Sequence, residues 1–394
     1  MSAAYASRNL IDFLPPEILA IIGRFAVEDT GSSDIAFTLA AVSRRWRTVF
    51  LEGTQLWSNV HLLAQTSEAA MTKLETCLER SPIRNLVLGY LSAKDDDKLI
   101  VALAGRLGCT KSFETQSPRL SLYKVLRLVE TAGALERLIA YRPTPRIMSR
   151  SVDLRPDQPR PSIKHFELRC LSVYPSHIGR VSSIAWLLML LPNLEDLTVA
   201  HADYTIYPSP TRPKIISLPR LQRLAISRAD RPPPTQGPPP VFLFPALREL
   251  DLGDSTLESY ARYLFPPSHP PNTHHLTHLF LGKSDLDETA FIGHLPHLAS
   301  LTHLDIRGTG RPFQALLRAL RAEVGRPDGL CPRLEQLDGY GDAAALCDEA
   351  RATVELREGW SVPIVVRGWV EAGWVLRWVE STKINRSAAG EVEI

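Results

Sequence analysis

Seven of the chain's 11 histidines crowd into one stretch, at His269, His274, His275, His278, His294, His297 and His303. Imidazole is the side chain best suited to metal ligation and to proton transfer near neutral pH. Either chemistry needs partners at fixed spacing, such as paired cysteines, a carboxylate, or the H-E-x-x-H of a zinc helix. None accompanies these residues, and His278 and His303 belong to motifs a full repeat apart. The five cysteines, Cys77, Cys109, Cys170, Cys331 and Cys347, are odd in number and form no C-x-x-C pair. There is no G-x-S-x-G elbow, no phosphate-binding G-x-x-x-x-G-K loop, and no dinucleotide fingerprint after a strand. Gly308-Thr309-Gly310 and Gly339-Tyr340-Gly341 read as turns. The residues thus offer no catalytic set, no metal site and no cofactor site, and the expectation is a binding protein and not an enzyme.

The elements that carry these side chains are repetitive. Leu-x-x-Leu-x-Leu, with Ile, Val or Phe allowed, occurs at Ile83/Leu86/Leu88, Ile163/Phe166/Leu168, Leu194/Leu197/Val199, Leu221/Leu224/Ile226, Leu247/Leu250/Leu252, Leu276/Leu279/Leu281 and Leu301/Leu304/Ile306. Leu135/Leu138 and Leu334/Leu337 are weaker copies. Self-similarity at such a period marks a solenoid in which each repeat buries its apolar face against the next. Between the strand motifs lie helical segments at 184–188, 260–264 and 312–324. The pattern resembles leucine-rich repeats, although the Asn or Cys ladder of regular repeats is replaced by Ser255, Ser284 or Thr309. The resemblance implies a parallel sheet with outer helices.

With the leucines turned into the core, the third and fifth positions of each motif face outward. They are His165 and Glu167, Asp196 and Thr198, Arg223 and Ala225, Glu249 and Asp251, His278 and Phe280, His303 and Asp305, and Gln336 and Asp338. This concave face leans acidic and fits a basic segment of a partner. Glu167, Asp196, Arg223, Glu249, Asp251, His278, Phe280, His303 and Asp305 are the candidate partner-binding residues.

The amino-terminal stretch has a different texture. Pro15 and Pro16 suit a first helical turn, and Glu17 lies well against the dipole. Ile18, Ile22 and Phe25 then fall on one stripe. Ser33 or Asp34 offers an N-cap for a second helix, predicted to carry Ile35, Leu39, Val42, Trp46 and Val49 on one face. Leu56-Trp57 and Val60 close the unit. Leu14-Pro15-Pro16-Glu17, Val42-Ser43-Arg44-Arg45-Trp46 and Leu56-Trp57-Ser58, in this order, resemble the F-box of fungal F-box proteins. Ser43 stands where many of them have Cys, and Gly53-Thr54-Gln55 where many have Pro. The resemblance implies that Leu14, Pro15, Pro16, Ile18, Leu19, Val42 and Trp46 contact a Skp-type adaptor within a cullin-based ubiquitin ligase. The repeats would then bind a protein substrate. The alternative is a leucine-rich-repeat scaffold without ligase association.

The expected organisation is α/β: a helical F-box over 10–62, an irregular repeat solenoid over 63–342, a capping segment over 343–380 and a disordered tail over 381–394. A helix is expected over 343–358, followed by strands at Val362–Val366 and Trp374–Trp378, with Trp369, Trp374 and Trp378 covering the last core face. Proline-rich loops interrupt the array at 143–161, 231–240 and 266–271. A net charge of +2 gives no electrostatic case for nucleic acid or an anionic membrane. The reduced cysteines and the absence of a signal peptide or long apolar run lead to the expectation of an intracellular protein, cytoplasmic or nuclear.

Overall fold

In the structure, a computed structural model, the described residues are 13–62, 67–89, 103, 106–116, 125, 132–141, 162–169, 182–183, 185–200, 204–205, 215–227, 241–253, 275–282, 292–293, 295–306, 315–320, 331–340, 365–369 and 375–378. The chain divides into two compact units, Met1–Val152 and Asp153–Ile394. The predicted proline-rich loops, the helices over 260–264 and 343–358, the polar ladder positions Ser255, Ser284 and Thr309, Trp374 and the tail lie outside the described residues.

The first unit opens with α1 (Pro16–Thr30), α2 (Asp34–Ala40) and α3 (Arg44–Glu52), then a 3-10 turn over Thr54–Trp57. α1 has Pro at its start and ends where Gly31 takes a left-handed conformation, φ 65°. The single second helix expected from the apolar spacing is two helices, broken at Ala41, Val42 and Ser43. Ser43 causes the restart: its backbone is extended and its Oγ accepts from Trp46 N–H at 3.2 Å, an N-cap that a helix interior could not hold. Neither Ser33 nor Asp34 caps α2 through its side chain. Ser33 Oγ donates to the Asn59 carbonyl instead, and Asp34 N–H donates to Ser32 Oγ at 3.2 Å.

Strands β1 (Asn59–Leu62), β2 (Asn85–Leu88), β3 (Ser112–Thr115) and β4 (Arg137–Tyr141) pair in parallel and in sequence order, with α4 (Ser67–Arg80) between the first two. β1 and β3 were not foreseen. In β3 the leucine positions are filled by Thr110, Phe113 and Thr115, all fully buried. Thr110 tolerates burial because its Oγ1 donates to the Ile83 carbonyl at 3.1 Å, so no hydroxyl is left unpaired.

In the second unit, β5 (His165–Arg169), β7 (Asp196–Ala200), β10 (Arg223–Ile226), β12 (Glu249–Asp251), β13 (His278–Leu281), β14 (His303–Ile306), β15 (Gln336–Tyr340) and β16 (Val365–Trp369) form a parallel series. β17 (Val375–Trp378) adds to β16 in the antiparallel sense. Two short parallel pairs stand apart from this sheet: β6 (Ser182–Ser183) with β8 (Tyr204–Thr205), and β9 (Ile215–Ser217) with β11 (Val241–Leu243). Helices at Ala185–Leu188 and over 315–320 fall where the sequence predicts them. The architecture is α/β, with a parallel, solenoid-like stack of strands and a few amino-terminal helices.

The stack has a sequence cause. Leu194, Leu197, Leu221, Leu224, Leu250, Leu276, Leu301 and Leu337 are all fully buried, each contributing about 1.5–3 kcal/mol. Five motifs also start with a turn: Leu194 N–H donates to Leu191 O, Leu221 to Leu218, Leu247 to Phe244, Leu301 to Leu298 and Leu334 to Cys331, at 3.0–3.2 Å. Pro192, Pro219, Pro245 and Pro332 occupy the second position of four of these turns, where a fixed φ is favoured. A ladder of N–H to carbonyl bonds then links the residue before each strand to the previous repeat, from Glu195 to Lys164, Gln222 to Glu195, Arg248 to Gln222, Thr277 to Arg248, Thr302 to Thr277 and Glu335 to Thr302, at 2.8–2.9 Å.

Candidate functional site

Two surfaces hold the residues singled out from the sequence, one in each unit. In the first unit α1 carries two stripes. Leu19, Gly23 and Val27 face inward. Ile18, Ile21, Ile22 and Phe25, at i, i+3, i+4 and i+7, face solvent with 41%, 41%, 38% and 60% exposure. The inner stripe is narrow because Gly23 lies under the Phe50 ring, where a Cβ would collide with the ring. Phe13 and Val42 are each 60% exposed. Arg45 Nη2 donates to the Leu14 carbonyl and brings the start of α3, with the turn that carries Val42, to the start of α1.

Of the residues expected at an adaptor contact, Pro15, Pro16, Ile18 and Val42 are exposed and Leu14 is half-buried. Leu19 and Trp46 lie in the core, at 0% and 7%. Trp46 packs on Phe50 with ring centroids 5.4 Å apart. The Trp57 indole donates to the Phe50 carbonyl at 2.9 Å and forms a T-shaped pair with Phe37, ring centroids 4.8 Å apart. Phe13, Ile21, Ile22 and Phe25 complete the exposed apolar set. Ile18, Ile22 and Phe25 are legible in the sequence as one stripe, but the side it faces is not.

Elsewhere in the first unit, Lys73 of α4 is 8% exposed, pairs with Asp34 and donates to the His61 carbonyl. Burial and then the Lys73 charge push the His61 imidazole below its ordinary value. Burial lifts the Cys77 thiol to about 11, so it is inert as a nucleophile at neutral pH. Arg80 lies over the Trp57 ring at 5.4 Å and donates to the Leu51 carbonyl at 3.3 Å.

In the second unit, register aligns the outward positions into two rows. One runs His165, Asp196, Arg223, Glu249, His278, His303, Gln336, and the other Glu167, Thr198, Ala225, Asp251, Phe280, Asp305, Asp338. Neighbours in a row are about 4.8 Å apart. His165 Nδ1 is 3.7 Å from Asp196 Oδ2, and Arg223 Nε is 3.6 Å from Glu249 Oε2. Glu167 pairs with Arg169. Asp305 is the most buried carboxylate in the rows, at 8% exposure.

His278 and His303, a repeat apart in sequence, are neighbours in space, stacked with centroids 4.4 Å apart and 15° between planes. Phe280 lies beside His278 at 6.5 Å and 16°. Thr277 Oγ1 donates to the Arg248 carbonyl at 3.1 Å and meets His278 Nδ1 at 2.9 Å. Thr302 repeats this, donating to the Thr277 carbonyl at 3.0 Å and meeting His303 Nδ1 at 2.9 Å. One repeat along the sequence reads as separation, but in a parallel stack it is a step of one strand.

Among the described residues, no three or more His, Cys, Asp or Glu side chains converge as a metal site. No helix there is long and apolar enough to cross a membrane. The chain matches no protein-family model and no curated protein.

Proposed function

We propose that the protein is the substrate-recognition subunit of a cullin-based ubiquitin ligase of the SCF type. Its amino-terminal helices dock on a Skp-type adaptor and its solenoid holds a protein substrate. The observation that carries this reading is the solvent-facing stripe Ile18, Ile21, Ile22 and Phe25 on α1, with Phe13 and Val42. Apolar residues at i, i+3, i+4 and i+7 are the anchors of a helix that packs into a partner, and a monomer gains nothing from exposing them. The motifs that resemble an F-box start α1 and span the turn into α3, the elements that Arg45 ties together.

In this arrangement Leu14, Pro15, Pro16, Ile18 and Val42 touch the adaptor. Leu19 and Trp46 act from inside, holding α1 and α3 at the right separation. The subunit supplies no reacting group. Its contribution is to bring the substrate near an activated ubiquitin, as a gain in effective concentration. β16 and β17 close the end of the leucine-rich stack as its cap.

Co-expression of the full chain with a Skp-type adaptor, followed by purification on a tag carried by the chain, tests the reading. The wild-type chain retains the adaptor, while Ile22→Ser with Phe25→Ser and Leu14→Ala with Pro16→Ala each release it. A wild-type chain that emerges alone, or variants that retain the adaptor as well as wild type, would leave the protein a repeat scaffold outside the ligase.

A further inference from the structure

We propose that the surface over β12, β13 and β14 binds a basic side chain, lysine or arginine, carried by an extended segment of a protein partner. The inference rests on the solenoid being the part that holds a partner, and it is independent of the adaptor contact.

The first outward row alternates donor and acceptor as far as Glu249, through the His165–Asp196 and Arg223–Glu249 pairs. The alternation then stops. Thr277 Oγ1 has one proton, and it is given to the Arg248 carbonyl, so the 2.9 Å contact with His278 must be made by Nδ1–H donating to the hydroxyl. In the neutral ring this fixes Nε2 as an acceptor. Thr302 imposes the same tautomer on His303.

The second row adds Asp251, Phe280 and Asp305. Neither row holds Lys or Arg on β12, β13 or β14, and the nearest in register are Arg223 on β10 and Arg367 on β16. The Gln336 amide is directed to Asp338 Oδ2 at 2.6 Å. His303 and Asp305 have further contacts of their own. The ligand is therefore assigned to Glu249, Asp251 and the His278 Nε2, with the Phe280 ring against its aliphatic stem. The stretch is rich in acceptors and poor in donors, the complement of an ammonium or guanidinium.

A metal ion fits less well. Face-stacked imidazoles direct their lone pairs side by side, whereas a tetrahedral ion needs them to converge.

The test is fluorescence anisotropy of a labelled dodecapeptide of alternating arginine and serine, and of its glutamate counterpart, titrated with the full chain at low salt. At about pH 8 the arginine peptide binds at least roughly tenfold tighter than the glutamate peptide. His278→Phe keeps a ring in the stack and removes the acceptor. It weakens binding about tenfold. Asp251→Asn can still accept from Gly253 N–H and weakens binding by a similar factor. Equal binding of both peptides would overturn the proposal, as would unchanged affinity in both variants with native circular dichroism. Adaptor retention is unaffected in these variants, and its absence in the wild-type chain would sink the ligase reading without changing the anisotropy.

Discussion

Gly23→Ala separates packing from helix propensity at the site that gives α1 its two faces. Gly23 sits in the middle of a 15-residue helix, where alanine is intrinsically better by about 0.8–1 kcal/mol. Propensity alone therefore forecasts stabilisation. The Phe50 ring occupies the space that a Cβ would need, is fully buried, and is held by Trp46 on one side and by the Trp57 indole bond to its own carbonyl on the other. Overpacking against so constrained a ring costs about 1–3 kcal/mol. The net effect is destabilisation by about 0–2 kcal/mol, opposite in sign to propensity. Phe50→Leu gives the methyl room, so the double variant should be more stable than the two single effects predict, with a coupling of about 1–2 kcal/mol. Urea unfolding followed by tryptophan fluorescence measures all four corners of the cycle. A Gly23→Ala chain that is more stable by about 1 kcal/mol, or a cycle with no coupling, would refute the account of how the inner stripe is filled and why Ile18, Ile21, Ile22 and Phe25 are left outside.

Further consequences follow from the same packing. Lys73→Met keeps the stem and removes the buried ammonium with its bonds to Asp34 and the His61 carbonyl, and is expected to cost about 1–3 kcal/mol in the same urea assay. Because the His61 imidazole is held below its ordinary value of 6.5, the unfolded chain binds its proton first. Stability from this group is present above about 6.5 and is lost as the pH falls from there through the folded value, so His61→Gln should flatten the pH dependence of the melting temperature in that window. Thr110→Val is isosteric but removes the bond to the Ile83 carbonyl, and a loss of about 1 kcal/mol is expected, measured by thermal melts.

The solenoid was legible because its cause is local. Leu221, Leu224 and Ile226, repeated a strand later as Leu247, Leu250 and Leu252, specify both the inward face and the stacking direction. The β3 strand escaped because Thr110 and Thr115 stand at leucine positions, and only the bond to Ile83 makes such a residue acceptable inside. The Leu-Pro-x-Leu turn at Leu191, Leu218 and, with Phe, Phe244 was a further signal in plain view. The break between α2 and α3 was hidden because Val42 and Trp46 keep the apolar spacing across Ser43, whose capping role depends on a backbone that periodicity does not report. The His278–His303 stack was illegible for another reason: nearness across a sheet is set by register, not by separation along the chain. The side of α1 that faces solvent was likewise not decided by its own residues, since both stripes are apolar and only Phe50 against Gly23 chooses between them.

The most direct test of the central claim is hydrogen–deuterium exchange of the full chain with and without a purified Skp-type adaptor. The account predicts protection confined to α1, to the turn around Val42 and to the start of α3, with the strands of the second unit unchanged. Exchange that is identical in the two samples, or protection on the sheet rows with none on α1, would contradict it.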